Sequence, residues 1–167
     1  MPGPEQAELI IRDRRDTDLE AMVTLALESM TWHADSYPDV RPAPPADALR
    51  GGFRELVPTA DSYVRVAELD TLVVGFLTAA LLPPTTSGIE ALDEPSVYIS
   101  DIIVTGTARR RGIARALLAD LDDWARARGC HTIRLTMHAG NEPAHRLYEQ
   151  LGYRPTWITF RKDGDDE

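Results

Sequence analysis

The clearest alternation of apolar and polar positions lies in the C-terminal half of the chain. Ile113, Leu117, Leu121 and Trp124, flanked by Ala114, Leu118 and Ala125, recur at helical spacing, while Arg115, Asp120, Asp122, Asp123 and Arg126 take the other face and Gly129 ends the run. Ile133, Leu135 and Met137 then alternate with Arg134, Thr136 and His138, the period of a half-buried strand. Asn141 is placed to cap a short helix that turns Ala144, Leu147, Tyr148 and Leu151 inward and stops at Gly152. The pattern over 155–162 predicts a last strand.

The N-terminal half is less regular. A short strand is expected over 9–12, followed by TDLE at 17–20, a capping-box pattern, and a helix with Leu19, Met22, Val23, Ala26 and Met30 on one face. Residues 31–45 read as a Pro-rich irregular segment whose Trp32 and Tyr37 either wall a substrate site or pin the loop to the core. A second helix is expected over 46–57, weakened by Gly51 and Gly52. Ser62–Leu69 and Leu72–Leu82 read as a hairpin broken at Asp70 and Thr71, and a long loop leads to a strand over 97–104. The succession of elements is that of a mixed α/β domain, one unit over 7–162 with an acidic tail at 163–167.

Charge narrows the function classes. With 18 Lys plus Arg against 27 Asp plus Glu, the formal net charge is -9, which argues against general nucleic-acid binding. One cysteine, Cys130, allows no internal disulfide and fits a reducing compartment. The longest apolar run is too short to span a bilayer and the N-terminus has no leader pattern, so a cytoplasmic protein away from membranes is expected. The four histidines form no ligand cluster, and no metal is expected.

Against this acidic background the stretch RRRGIARALL over 109–118 gathers positive charge at the start of a helix. The backbone N–H groups of Arg110, Arg111, Gly112, Ile113 and Ala114 would point along the positive end of the helix dipole, and Gly112 and Ala114 are small enough to let a pyrophosphate approach. Arg109, Arg110, Arg111 and Arg115 would add charge-assisted bonds. Neither a P-loop nor a Rossmann glycine pattern is present.

VTGTARRRGIARALL over 104–118 resembles the acetyl-CoA-binding motif of the GNAT superfamily of N-acetyltransferases, R/Q-x-x-G-x-G/A, met by Arg109, Gly112 and Ala114. NEPAHRLYEQLGY over 141–153 is similar to that superfamily's N-x-x-A-x-x-L-Y-x-x-L-G-F/Y motif at every specified position. Together the two motifs are strongly specific, and the resemblance extends over roughly 9–160. It implies the GNAT fold: a central, mostly antiparallel sheet flanked by helices and splayed between its fourth and fifth strands, with acetyl-CoA as cosubstrate. By this resemblance Ile102, Ile103 and Val104 pair their backbone with the pantetheine arm, an N–H there polarises the thioester carbonyl, and Asn141 reaches the cofactor.

The resemblance also makes Tyr148 the general acid that protonates the departing thiolate. The strand carboxylate that serves as base in some members is absent at the inward positions, Tyr98 and Ser100. Either would hold a water, while Asp101 should face the other way, as a structural acceptor, unless a bulge turns it. The expected reaction is direct acetyl transfer to a primary amine of a small molecule or peptide in a ternary complex, with homodimerisation allowed. Peptide acetyltransferases resembling both motifs favour a Glu where this chain has Thr136. A catalytically weak acyl-CoA-binding module acting through a protein partner is the alternative.

Overall fold

A computed structural model of the chain describes residues 8–85 and 92–162. The 163–167 tail, the first seven residues and the middle of the long loop lie outside the described residues. The chain divides into two compact units, 1–136 and 137–167.

The first unit is built on a five-stranded sheet in the order β1-β2-β3-β4-β5. β1 (Leu9–Asp13), β2 (Ser62–Leu69), β3 (Leu72–Leu82) and β4 (Ser96–Val104) pair antiparallel, and β5 (Ile133–Leu135) runs parallel to β4. Asp70 and Thr71, with φ of 49° and 71°, make the tight turn of the β2–β3 hairpin. α1 (Leu19–Ser36) and α2 (Ala46–Glu55) cover one face, packing Met22, Val23, Leu25, Ala26 and Phe53 against Val64, Val66, Phe76 and Ile103. Contacts of α3 (Ile113–Arg126) lie on the alternate residues: the Tyr63 hydroxyl donates to Asp120 at 2.7 Å, and the Tyr63 ring meets Trp124 edge-on at 5.6 Å. Burial of Tyr63 and its acidic neighbour both push its pKa up.

Three expectations are corrected. The expected Thr17–Glu20 box is not what opens α1: a 3-10 turn, Asp16–Asp18, precedes the helix, and the Asp18 carboxylate boxes that turn by accepting the Arg15 N–H at 2.7 Å. Arg12 of β1 holds that carboxylate in place through bonds of 2.7 and 2.9 Å while also reaching Glu68. Second, α1 continues to Ser36, so Trp32 is helical; the segment read as irregular begins at Tyr37. Third, residues 155–162 form no strand, and Trp157, Ile158 and Phe160 are exposed. Among the described residues this segment joins no strand of the sheet, and β-propensity without a paired strand beside it makes no ladder.

The second unit contains α4 (Glu142–Gln150), opened by Asn141, whose Oδ1 accepts the Ala144 N–H at 3.3 Å. It closes on Gly152 at φ +86°, where the Gly152 and Tyr153 N–H groups bond to the Glu149 and Tyr148 carbonyls, a Schellman ending.

Candidate active site

The pairing of β4 determines what the site offers. Thr78 is opposite Asp101 and Ala79 is opposite Ile99, so Ser100 is the extra residue of a β-bulge. Side chains alternate across a strand, and the inserted residue resets the alternation. Asp101 thereby joins Thr78, Phe76 and Ile103 on the face covered by α1 and α2, with Tyr98 paired to Ala80 further along that face. The bulge does turn Asp101, and Ser100 is left exposed.

Asp101 is half-buried and accepts a hydrogen bond from Thr78 Oγ1 at 2.8 Å. Loss of hydration raises its pKa above the ordinary aspartate value, opposed only in part by the Thr78 bond. Tyr98 donates its hydroxyl to Thr136 Oγ1 at 3.0 Å. The sequence reading therefore missed a carboxylate on the helix-covered face. The signal that would have revealed it was the bulge, which no glycine or proline marks.

β5 pairs with β4 only at Val97, Tyr98 and Ile99. Beyond that point the β4 edge from Ser100 to Val104 has no strand partner on the β5 side among the described residues. Gly75 explains how tightly the other edge is held: a Cβ there would stand 2.7 Å from the Ile103 carbonyl oxygen. The expected pantetheine-pairing residues, Ile102, Ile103 and Val104, thus form the free length of this strand.

From Val104 the chain runs through a 3-10 turn, Gly106–Ala108, into extended Arg109, left-handed Arg110 at φ +60°, and Gly112 at φ +80°, the N-cap of α3. A non-glycine residue in the left-handed region is strained, and such strain gathers at ligand-binding loops. Ile113 is buried, so its side chain anchors the helix and leaves only its N–H for a ligand. Arg109, Arg110, Arg111 and Arg115 are exposed around the N-terminus, Ala114 is half-buried, and no acidic residue occupies the first turn. Leading helix N–H groups have no intrahelical acceptor, so this end combines free donors, a positive dipole and four guanidinium groups.

α1 borders the same loop. The Glu28 carboxylate accepts the Gly106 N–H at 2.6 Å and the Thr105 hydroxyl at 2.9 Å, and the Arg109 guanidinium lies 5.3 Å from the Trp32 ring centre. Trp32, His33 and Tyr37 contact one another with ring centres 4.8 to 5.9 Å apart. Beside them a cavity of about 310 Å³ is lined by Met30, His33, Val40 and residues 41–44.

Within the second unit, Asn141 spends its side-chain oxygen on the helix cap. Tyr148 is buried, with its ring 5.5 Å from that of Tyr153, and burial pushes its pKa up to about 12. It is therefore a neutral phenol at physiological pH. Ser100, Ile102, Ile103, Val104 and the arginine loop share the first unit, while Asn141 and Tyr148 belong to the second. Among the described residues no group of three His, Cys, Asp or Glu side chains is placed to hold a metal, and no helix is long and apolar enough to cross a membrane.

A splayed mixed sheet, a bulged fourth strand and a cationic loop opening the next helix define the acetyltransferase class of α/β fold. The sequence model of the Acetyltransferase (GNAT) family matches residues 26–153, and the chain belongs to that family. It is 25% identical over 136 residues to an aminoglycoside N(6')-acetyltransferase type 1 of Salmonella typhimurium, covering 78% of this chain and 92% of that one. A Serratia marcescens protein of the same name is 28% identical over 133 residues, 79% and 84% of the two chains. Among solved structures, the aminoglycoside N-acetyltransferase AAC(6')-Iy in complex with CoA superposes with a TM-score of 0.72 at 21% identity, over 98% of this chain and 99% of that one. At that identity the likeness concerns the fold.

Proposed function

We propose that this protein transfers the acetyl group of acetyl-CoA to a primary amine of a small molecule by direct attack in a ternary complex. The observation that carries the proposal is the continuity of the free β4 edge, Ser100 to Val104, with the arginine loop at the start of α3. A strand edge supplies main-chain donors and acceptors for the two amides of pantetheine, and the helix start supplies donors and cations for the pyrophosphate. Ile102, Ile103 and Val104 take the first role. Arg109, Arg110, Arg111 and Arg115, with the N–H groups of Gly112, Ile113 and Ala114, take the second. Asn141 serves by capping α4. The family match runs through both compact units, which supports treating residues 7–162 as one acetyltransferase domain.

Chemistry requires a neutral amine and a protonated leaving thiol. Asp101 is the proton acceptor in this reading, directly or through water held by Ser100: it is the carboxylate on the helix-covered face of β4, and burial shifts its pKa upward, toward a stronger base. Tyr148 is the acid: it is a neutral phenol that carries a proton for the departing thiolate, although burial weakens it as an acid. The named activity of the relatives from Salmonella typhimurium and Serratia marcescens favours a small polyamine-like acceptor. The relative named as the ribosomal protein bS18 alanine acetyltransferase of Escherichia coli matches only 40% of this chain, so a peptide acceptor has less support. The alternative of a catalytically weak acyl-CoA-binding module acting through a protein partner, which an absent strand carboxylate would permit, has less support with Asp101 on the helix-covered face.

Calorimetric titration with acetyl-CoA tests the binding half. The parent should bind, and the Arg109→Ala, Arg110→Ala double variant should bind at least tenfold more weakly; no binding by the parent overturns the proposal. For the chemical half, Tyr148→Phe should lose 10²- to 10⁴-fold in amine-dependent CoA release while keeping its acetyl-CoA affinity.

A further inference from the structure

The loop that opens α3 begins with a turn closed by its backbone, the Ala108 N–H bonding the Thr105 carbonyl at 3.0 Å, but left open at its first N–H. Its 3-10 turn, Gly106–Ala108, has no side-chain cap of its own at Thr105. The missing acceptor comes instead from α1, where Glu28 takes the Gly106 N–H at 2.6 Å and the Thr105 hydroxyl at 2.9 Å, one with each carboxylate oxygen. One helical turn further along α1, Trp32 lies beneath the Arg109 guanidinium, whose Nε is also 3.4 Å from the Val104 carbonyl oxygen. Residues four apart share a helix face, so a single face of α1 grips both ends of the segment 105–109.

The sign of the charge makes this arrangement informative. Glu28 is an exposed anion beside a loop whose function, on the acetyl-CoA reading, is to receive a pyrophosphate, and electrostatics alone would make it unfavourable there. Its two hydrogen bonds, however, fix the turn that aims the following backbone and Arg109. A loop ordered before binding spares the ligand the cost of ordering it.

We propose that Glu28 and Trp32 are positioning residues that brace the arginine loop from α1, so that acetyl-CoA affinity depends on a helix outside the cofactor motif. The proposal rests on the acetyl-CoA reading of that loop. Glu28 acts as a cap supplied from a distant element, and Trp32 holds Arg109 in the extended position from which it meets the phosphate. Because Trp32 also touches His33 and Tyr37, the same brace carries the aromatic cluster at the start of the loop after α1.

The test compares Glu28→Ala, Glu28→Gln and Trp32→Leu with the parent in acetyl-CoA titrations. Glu28→Ala should weaken binding about five- to tenfold, the effect of losing a helix cap, whereas Glu28→Gln, which still accepts the Gly106 N–H and pairs with Thr105, should stay within about threefold. Trp32→Leu should weaken binding roughly two- to fivefold, as for an exposed cation–π contact. Glu28→Ala and Glu28→Gln binding equally well, or both more tightly than the parent, would show that Glu28 acts only as a charge and would overturn the brace with the acetyl-CoA reading intact. If the parent itself does not bind acetyl-CoA, that reading fails and amide hydrogen exchange at Gly106 decides the brace alone. Exchange at least tenfold faster in Glu28→Ala than in Glu28→Gln supports it, and equal rates overturn it.

Discussion

Burial and ionisation pull against each other at Asp101. Its folded pKa is raised above the unfolded value of about 3.9, so the fold binds that proton more tightly than the unfolded chain does. Stability linked to Asp101 is therefore fully present below the unfolded pKa and declines as pH rises through the folded one. Asp101→Asn should be more stable than the parent at pH 7 in urea unfolding, with the gap closing toward pH 4, and should lose about 10²- to 10⁴-fold in turnover. Its pH–rate profile supplies the complementary evidence: the acidic limb of kcat/KM in the parent should lie above the ordinary aspartate pKa. Full turnover in the Asn variant would move the base elsewhere on the strand. The alternation of ISDII places Ser100 inward and Asp101 outward, and only the pairing partner reveals the inserted residue that reverses them. A bulge is a property of two strands, so one strand's sequence does not show it.

Element boundaries follow the same division between local and distant causes. The β2–β3 hairpin, α3 and the Asn141 cap were legible because each depends on neighbours in sequence: a two-residue turn, an apolar stripe, a side chain reaching three residues ahead. The start of α1 was misread because Arg12, in the preceding strand and itself paired to Glu68 of β2, holds the Asp18 carboxylate that boxes the turn ahead of the helix. The Arg12–Asp18 pair is nearly enclosed, with 14% and 6% of the two side chains exposed, so removing one partner is costly. Although burial works the other way, the bonds from Arg12 and the Arg15 N–H leave the Asp18 pKa below its usual value. Its stabilisation is present above the unfolded pKa and is lost as pH falls through the lowered one. Asp18→Asn should thus cost about 3 kcal/mol at pH 7, near the lower end for a broken buried pair because Glu68 still holds Arg12, and the deficit should shrink in acid. Chemical denaturation at pH 7 and pH 3 measures both. The strand expected over 155–162 belongs with the misread elements, since β-propensity describes what a segment would do beside a partner and not whether one is there.

At the scale of the whole molecule, two charge patterns of opposite sign match the two substrates of the proposed reaction. The formal net charge of -9 sets up a field that attracts cations over distances of about a Debye length, roughly 8 Å at physiological salt. The arginine loop is a local exception, and on the proposed reading its contacts with a phosphate would be made at hydrogen-bond range, where screening is weaker. Attraction of the acceptor should therefore grow with the acceptor's positive charge, while a monoamine of similar reactivity gains little. Measured as kcat/KM between 20 and 300 mM salt, a polycationic amine should lose activity several-fold more steeply than a monoamine, with acetyl-CoA held saturating so that its own binding does not enter. Equal slopes would mean that the acidic surface has no part in acceptor capture and that acceptor choice resides in short-range contacts such as those of the Trp32, His33 and Tyr37 cluster. Steeper loss for the polycation would tie the acidic composition of the chain to the class of amine it acetylates.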